Sequence, residues 1–233
     1  MRKLLNRIVN RIKGEEFIID KQIPSGYLMN TFLKRFLMLI RGYIKFGRFN
    51  RICFIGPRVR IRCRKSLSFV NGLTINEGCY IDCLSSEGLK FGKNVNIGAR
   101  TMIEGTGSLK MVGKGLLTGD NVSVGPCCHI GCAGGVIIGS DTVMGNYVTI
   151  HPENHKFDDN SKPIRFQGVE HTGIRIGRNC WIGAKAMILD GADIADGCVI
   201  AGGSVVLNGK YESDSVYGGN PAKFLKRRLI SAR

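Results

Sequence analysis

An aliphatic side chain recurs at every sixth position in the C-terminal part of the chain. From residue 176 the sequence reads IGRNCW, IGAKAM, ILDGAD, IADGCV, IAGGSV and then Val206. Blocks in the same phase lie upstream, and they lead into Ile61, Ile81, Ile103, Ile130 and Ile150. A period of six fits neither the 3.6-residue turn of a helix nor the two-residue alternation of an ordinary strand.

A period of six predicts a chain that turns a corner every six residues, with a short strand on each flat. The aliphatic side chain points into a prism, and the small residue beside it leaves room for the corner. Three flats make one coil of about 18 residues, and stacked coils pair their strands in parallel. We therefore predict an all-β fold, a parallel β-helix over residues 53–220.

Residues 1–52 lack this period and form a separate leader. The segment 27–46, YLMNTFLKRFLMLIRGYIKF, mixes apolar side chains with Lys34, Arg35 and Arg41, and it predicts a helix. One interpretation is an amphipathic helix that lies on an anionic membrane surface. The other is a cap over the open first coil, whose strand edge must be covered. Both interpretations stay open at this point.

Charge is concentrated in the leader and the first coil. The chain has 233 residues, a formal charge of +16 and 43% hydrophobic residues, a composition that excludes bulk disorder. Residues 1–65 contain 17 Lys and Arg against 3 Asp and Glu, a balance of +14. No nucleic-acid-binding motif accompanies this charge, so we expect no nucleic-acid partner.

The chain shows neither a signal peptide nor an apolar run of spanning length. Its start, MRKLLNRIVNRIK, interrupts any apolar region with charges, and the longest apolar run near the front, FLMLI, is too short to cross a bilayer. The nine cysteines are therefore expected as free thiols in a reducing cytoplasm. A cytoplasmic location also leaves open a peripheral contact with the inner face of the membrane through residues 1–52.

A polar excursion interrupts the period between Ile150 and Ile176. These residues lie 26 positions apart, where one coil would use about 18. The segment 151–173, HPENHKFDDNSKPIRFQGVEHTG, has two prolines and predicts a loop that leaves the coil. It holds three of the four histidines, and loops on a rigid scaffold often carry function.

The repeat, together with two further stretches, resembles the hexapeptide-repeat sugar and polysaccharide O-acetyltransferases. The stretches are NHKFDDNSKPIRFQG, followed by IRIGRNCWIGAKAMILDGADI, and the exit GGNPAKFLKRR. The resemblance covers roughly residues 53–224. It implies a left-handed parallel β-helix, a short C-terminal helix or tail over 221–233, and a homotrimer with active sites between subunits. It also implies acetyl-CoA as acyl donor and a saccharide acceptor, such as a capsule, lipopolysaccharide or other glycan precursor.

The resemblance assigns the catalytic role to Asn154 and His155. His155 would act as general base and take the proton of a sugar hydroxyl as it attacks the thioester. His151 is the alternative base, and it is otherwise expected to cap the coil at the start of the loop. His171 is expected to be a solvated loop side chain, and His129 a coil side chain that faces an interface.

The same resemblance places the acetyl-CoA arm along the C-terminal coils. Trp181 would pack beside the arm, and the backbone of Ala184 and Gly202 would hydrogen-bond the pantetheine and help stabilise the oxyanion. Lys223 and Lys226 would meet the nucleotide phosphates. The remaining cofactor positions are Leu207 and Asn208. They stand where many relatives carry a Thr-Lys pair. The terminal Lys and Arg residues are therefore expected to make most of the phosphate contacts.

No metal is expected, because the cluster Cys127, Cys128, His129 and Cys132 lacks the spacing of a zinc site. Gly125 and Ala133 align with acceptor-binding positions of galactoside-type relatives, so a free galactoside is not the expected acceptor. Four other functions stay open: N-acetylation of an amino sugar, O-acetylation of an antibiotic, a β-helix carbonic anhydrase, and a non-catalytic β-helix scaffold.

Overall fold

The repeat folds into three sheets that form the faces of a prism. The structure is a computed structural model that describes residues 18–47 and 50–228. Within these residues the one α-helix of the leader is α1 (Ser25–Phe46), and two short 3-10 turns span Arg64–Ser66 and Ile164–Phe166. The rest of the leader, residues 1–17 and 48–49, lies outside the described residues.

Each sheet takes one parallel strand from each successive coil, and β25 adds an antiparallel strand at the edge of sheet A. Sheet A contains β1 (Cys53–Ile55), β4 (Leu73–Ile75), β7 (Asn96–Ile97), β10 (Ser123–Val124), β13 (Val143–Met144), β18 (Trp181–Ile182), β21 (Val199–Ile200), β24 (Ser215–Gly218) and β25 (Lys223–Arg227). Sheet B contains β2 (Arg60–Arg62), β5 (Tyr80–Asp82), β8 (Met102–Glu104), β11 (His129–Gly131), β14 (Thr149–His151), β19 (Met187–Leu189) and β22 (Val205–Val206). Sheet C contains β3 (Leu67–Phe69), β6 (Leu89–Phe91), β9 (Leu116–Thr118), β12 (Val136–Ile138), β17 (Ile174–Ile176), β20 (Ala192–Ile194) and β23 (Gly209–Tyr211).

The period of six is the register of the core. On sheet B, Ile130 pairs with Ile150, which pairs in turn with Ile188, and all three side chains are fully buried. Their neighbours within these strands are partly or fully exposed, so each of the three strands sends only its isoleucine into the prism. The predicted parallel β-helix with an N-terminal helix is therefore confirmed.

Small residues at the corners allow neighbouring coils to touch. A Cβ atom on Gly183 would lie 2.5 Å from the backbone nitrogen of Gly202 in the next coil, which is closer than real side chains approach. The corner that follows β18 therefore stacks directly on the corner that follows β21. This stacking brings two proposed cofactor positions, Ala184 and Gly202, onto adjacent coils.

Helix α1 packs on the first coil. A Cβ atom on Gly42 would lie 2.0 Å from the carbonyl oxygen of Cys53, so the helix backbone approaches β1 closely. Arg35 donates to the Thr74 hydroxyl at 3.2 Å, and Lys45 donates to the Val59 carbonyl at 3.0 Å. The helix thus covers the first strand of sheet A, as a cap would.

Two excursions leave the prism at the corner between sheets B and C. The expected one begins one residue later than predicted, because His151 still belongs to β14. It contains a short antiparallel pair, β15 (Asn154–His155) and β16 (Val169–Glu170). The other, residues 105–115, follows β8 and was not predicted. The two meet where the His171 imidazole lies 3.1 Å from the sulfur of Met111.

The predicted short C-terminal helix is wrong over the residues that the structure describes. Lys223–Arg227 forms β25, which pairs antiparallel with β24 at the edge of sheet A. The Phe224 ring packs edge-on against Tyr217, and Arg227 bonds to Glu212 and Ser215. A strand is favoured over a helix here because the outer edge of β24 would otherwise leave its backbone groups without partners. Residues 229–233 lie outside the described residues.

Candidate active site

His155 stands on the excursion with a free imidazole. It lies in β15 opposite Val169 and is exposed, as is its neighbour Asn154. No side-chain hydrogen bond or ion pair to His155 is found among residues 18–47 and 50–228. The backbone pairing of β15 with β16 fixes the position of this residue, while its ring nitrogens stay available to a ligand.

Trp181 lines an open groove on the outer face of sheet A. The groove encloses about 480 Å³, within the range of small-molecule sites. Val143, Trp181 and Val199 supply its apolar wall, and the indole is 58% exposed. Asp141, Asn179 and Arg228 also line it.

The groove continues toward a basic strand. Trp181 pairs with Val199, Val199 with Val216, and Val216 with Lys226, so these residues form one row across sheet A. Residues paired in this way point to the same face. Three strand spacings separate Trp181 from Lys226, about 14 Å. An extended pantetheine arm spans such a distance, so an aromatic contact and a phosphate contact could be made by one acyl-CoA molecule.

Two unpaired backbone amides stand at the stacked corners. Ala184 and Gly202 are exposed, and no acceptor for either N–H is found within the described part of the chain. The carbonyl of Ala184 is already used, because it accepts from Gly203 at 2.8 Å. These amides are therefore free to donate to a thioester carbonyl or to an oxyanion that forms from it.

The basic residues of the C-terminal strand divide into engaged and available ones. Arg227 pairs with Glu212, and Arg228 donates to the Gly197 carbonyl at 2.7 Å. Lys223 and Lys226 are exposed, and no ion pair to either is found among the residues described. An anionic ligand on this face would therefore meet the two lysines first.

Leu207 and Asn208 follow β22, the last strand of sheet B, and both are exposed. Leu207 is 42% exposed. The Asn208 side chain lies against Gly191, where an added Cβ atom would come within 2.6 Å of it. The Asn208 side chain thus packs on the previous coil. Neither Leu207 nor Asn208 carries a positive charge that could bind a phosphate.

One chain does not bring His155 and the acyl-CoA residues together. Trp181 and Lys226 lie on sheet A, and Ala184 and Gly202 lie at the corner between sheets A and B. The excursion with His155 leaves from the corner between sheets B and C. The width of sheet B therefore separates the proposed base from the proposed donor site within a single chain.

Sequence reasoning missed a polar cluster on the outer face of sheet B. The His129 Nε2 atom lies 2.9 Å from a carboxylate oxygen of Glu104, and the rings of His129 and His151 are 5.5 Å apart. Burial, followed by the neighbouring His129, lowers the pKa of His151 below its usual value. A carboxylate that orients an imidazole is an arrangement suited to general-base chemistry.

The period of six in the sequence was sufficient to predict this cluster. Glu104, His129 and His151 each flank the buried isoleucine of a sheet B strand, so all three must point outward on one face. The interpretation of His151 as a loop residue was wrong for this reason. His171 is also half-buried rather than solvated, and its Nδ1 atom lies 3.5 Å from Glu153.

The cysteines near His129 are part of the core. Cys128 and Cys132 are buried, and burial raises the pKa of both thiols. Burial likewise raises the pKa of Cys53 to about 12 and of Cys79 to about 11. Across the described ranges, no group of three or more Cys, His, Asp or Glu residues is arranged to hold a metal ion.

A second groove, of about 340 Å³, lies on sheet C beside both excursions. Lys114 and Thr172, at the C-terminal ends of the two excursions, line it together with Lys90, Arg175 and Asp193. Arg175 pairs with Asp193, whereas no ion pair to either lysine is found in the described structure. The groove is of a size that a sugar could enter.

Comparison with known proteins identifies the repeat. Residues 173–208 match the family model described as bacterial transferase hexapeptide (six repeats). Residues 173–208 are therefore similar to the repeat of the hexapeptide-repeat transferases. This hexapeptide-repeat chain is 35% identical over 144 residues to "Probable acetyltransferase Rv3034c" of Mycobacterium tuberculosis. The match covers 61% of this chain and 45% of that protein, so the chain spans less than half the length of this curated relative.

Solved structures share the fold at low identity. A variant of AntD, an N-acyltransferase from Bacillus cereus, in complex with dTDP and coenzyme A, is 18% identical with a TM-score of 0.52, over 81% of this chain and 89% of that one. The acetyltransferase VCA0836 from Vibrio cholerae, complexed with acetyl-coenzyme A, is 21% identical with a TM-score of 0.51, over 59% and 70%. These likenesses show that the hexapeptide-repeat chain has the left-handed parallel β-helix of such acyltransferases.

Proposed function

We propose that this hexapeptide-repeat protein is an acetyl-CoA-dependent O-acetyltransferase that acts on a saccharide hydroxyl. The observation that carries the proposal is the row from Trp181 to Lys226 beside the free amides of Ala184 and Gly202. It offers two hydrogen-bond donors for a thioester carbonyl, an aromatic surface for the pantetheine arm and a cation for the phosphates. Capsule, lipopolysaccharide and other glycan precursors are the acceptor class that the sequence motifs favour.

His155 would act as the general base. Its imidazole would accept the proton of the acceptor hydroxyl while the oxygen forms a bond to the thioester carbonyl carbon. The amides of Ala184 and Gly202 would stabilise the negative charge on the carbonyl oxygen. The imidazolium would then return the proton to the departing thiolate as the carbon–sulfur bond breaks. Asn154 precedes the base in β15 and would help to position the acceptor.

The proposed site is completed between subunits of a homotrimer. Sheet B separates His155 from the donor groove within one chain, so the base of one protomer would face the groove of its neighbour. The nine cysteines are all free thiols, which fits a protein of the reducing cytoplasm.

Transfer to an amino-sugar nitrogen is the second candidate. AntD, which shares the fold, is an N-acyltransferase solved with dTDP-4-amino-4,6-dideoxyglucose and coenzyme A. A competition assay with matched acceptors that differ only in a hydroxyl or an amine at one carbon separates the two reactions. We expect the ester as the main product, detected by its lability to hydroxylamine. An amide as the main product would replace the first proposal with the second.

Acetyl-CoA binding tests the donor site directly. In calorimetric titration we expect Lys223→Ala and Lys226→Ala each to weaken the affinity up to about fivefold, because an exposed charge pair contributes modestly. The double variant should lose about tenfold or more, and added salt should reduce the difference. Lys210→Ala, on the exposed face of β23 in sheet C, is the matched control and should bind as the wild type does. Equal affinity in all five proteins would contradict the assignment of the lysines, and no binding of acetyl-CoA by the wild type would contradict the function itself.

A further inference from the structure

Helix α1 has two apolar faces, and only one of them packs against the prism. Leu28, Met38 and Gly42 are buried on the inner face, where the helix covers β1. A helix that only caps the first coil needs one apolar face, because it has one sheet edge to cover. The opposite face of the helix should then be polar, as in an ordinary surface helix.

The outer face is a stripe of large apolar side chains instead. It consists of Met29, Leu33, Phe36, Ile40 and Ile44, which are spaced by four, three, four and four residues and therefore share one side of the helix. Their exposed fractions are 58%, 56%, 58%, 38% and 80%. Among the residues that the structure describes, these exposures leave most of the outer stripe open. A contiguous apolar patch of this kind marks an interaction surface.

The charge beside the outer stripe is positive. Lys34 and Arg41 are exposed next to it, seven residues apart on one side of the helix. Helix α1 contains no Asp or Glu. The adjoining residues 51–65 of the first coil contain six Lys and Arg and no acidic residue. The end of the prism that carries α1 is therefore basic as well as apolar.

The positive charge beside the outer stripe favours an anionic partner over the other candidates that could cover the stripe. A second copy of the helix would place Lys34 and Arg41 beside the same cations of its partner, with no carboxylate on either helix to compensate. Residues 1–17 carry five Lys and Arg against two Glu, so they too would bring like charge to the stripe. An anionic lipid surface satisfies both features, because acyl chains accept the apolar side chains while headgroup phosphates accept the cations.

We propose that the outer stripe of α1, with Lys34 and Arg41, docks this protein on an anionic bilayer surface. The 22-residue helix, about 33 Å long, would lie in the plane of the headgroups. Among the helical segments that the structure describes, none is both long and apolar enough to cross a bilayer. The proposal stands on the helix alone and does not depend on the acetyl-transfer function.

Vesicle flotation of the full-length protein tests the proposal. The probes are vesicles of phosphatidylcholine with roughly 30% phosphatidylglycerol, and vesicles of phosphatidylcholine alone. We expect binding to the anionic vesicles and a much weaker interaction with the neutral ones. The double variant Leu33→Gln/Ile40→Gln should bind at least about tenfold more weakly, since it removes apolar contact area. Lys34→Gln/Arg41→Gln should bind the anionic vesicles about 25-fold more weakly, since each cation near a charged surface contributes about fivefold to the affinity.

The controls use equivalent residues on another face. Leu117→Gln and Lys210→Gln replace an exposed apolar residue and an exposed cation on sheet C, and both should float as the wild type does. Circular dichroism and light scattering verify that each variant keeps its fold and mass. Wild-type flotation by the stripe variants, equal binding to neutral vesicles, or a stripe variant that loses oligomeric mass would each overturn the proposal. Binding of soluble heparin with the same affinity and the same dependence on Leu33 and Ile40 would also overturn it.

Discussion

Replacing His155 with Ala is expected to lower kcat for acetyl transfer by about 10² to 10⁴, the usual contribution of a general base. The KM for acetyl-CoA should change little, because the proposed donor contacts come from Trp181, the amides of Ala184 and Gly202, and the C-terminal lysines, and not from His155. Stability should also be retained, because the exposed imidazole has no side-chain partner in the described structure. Steady-state kinetics with the acceptor in excess, together with a melting curve, measure both effects.

The polar cluster on sheet B supplies the controls for this experiment. His129→Gln removes the imidazole that Glu104 orients, and Glu104→Gln removes the carboxylate that orients it. Neither variant changes the excursion that carries His155. We expect both variants to keep most of their activity if His155 is the base. Near-wild-type turnover in His155→Ala, combined with a large loss in His129→Gln, would transfer the catalytic role to the His129–Glu104 pair. A loss of oligomeric mass in His155→Ala would point to a structural role instead.

Replacing Ile150 with Ala is expected to lower the free energy of unfolding by about 2–5 kcal/mol. The side chain is fully buried and stacks between Ile130 and Ile188, and neighbouring coils held in register cannot easily collapse around a cavity. Denaturant unfolding followed by circular dichroism measures the change. Trp181, the single tryptophan, gives a second signal from β18 on sheet A.

Thr149→Ala is the matched control on the same strand. Its side chain points out of the prism, so we expect a change within about 0.5 kcal/mol. The contrast between adjacent residues tests the assignment of inward and outward positions. Similar losses for both variants, or a loss below about 1 kcal/mol for Ile150→Ala, would contradict the stacked core.

The sequence predicted the parallel β-helix because burial in this fold depends on a single local rule. One large aliphatic side chain in every six enters the prism, so positions such as Ile150 and Ile188 are visible without any long-range information. The excursion at 152–173 was visible because it lengthens one coil. The same reasoning applies to residues 105–115, since Ile103 and Ile130 lie 27 residues apart.

The features that were missed depend on contacts between elements. The segment Lys223–Arg227 has no hydrophobic period, and the unpaired edge of β24 decides that it forms a strand. Glu104, His129 and His151 are far apart in sequence and meet only through the pairing of β8, β11 and β14. The free amides of Ala184 and Gly202 likewise arise from corner geometry. Their role in acetyl transfer, like that of His155, stays a prediction.

Strand β25 and helix α1 have a joint consequence for solubility. A stack of parallel strands ends in open edges onto which another stack could add without limit, the mode of growth that produces filaments. On sheet A, the helix lies against β1 at one end, and the chain reverses into an antiparallel strand at the other. Neither end of that sheet offers the next parallel strand position to a second molecule. The repeat is thereby kept to a finite length on this face.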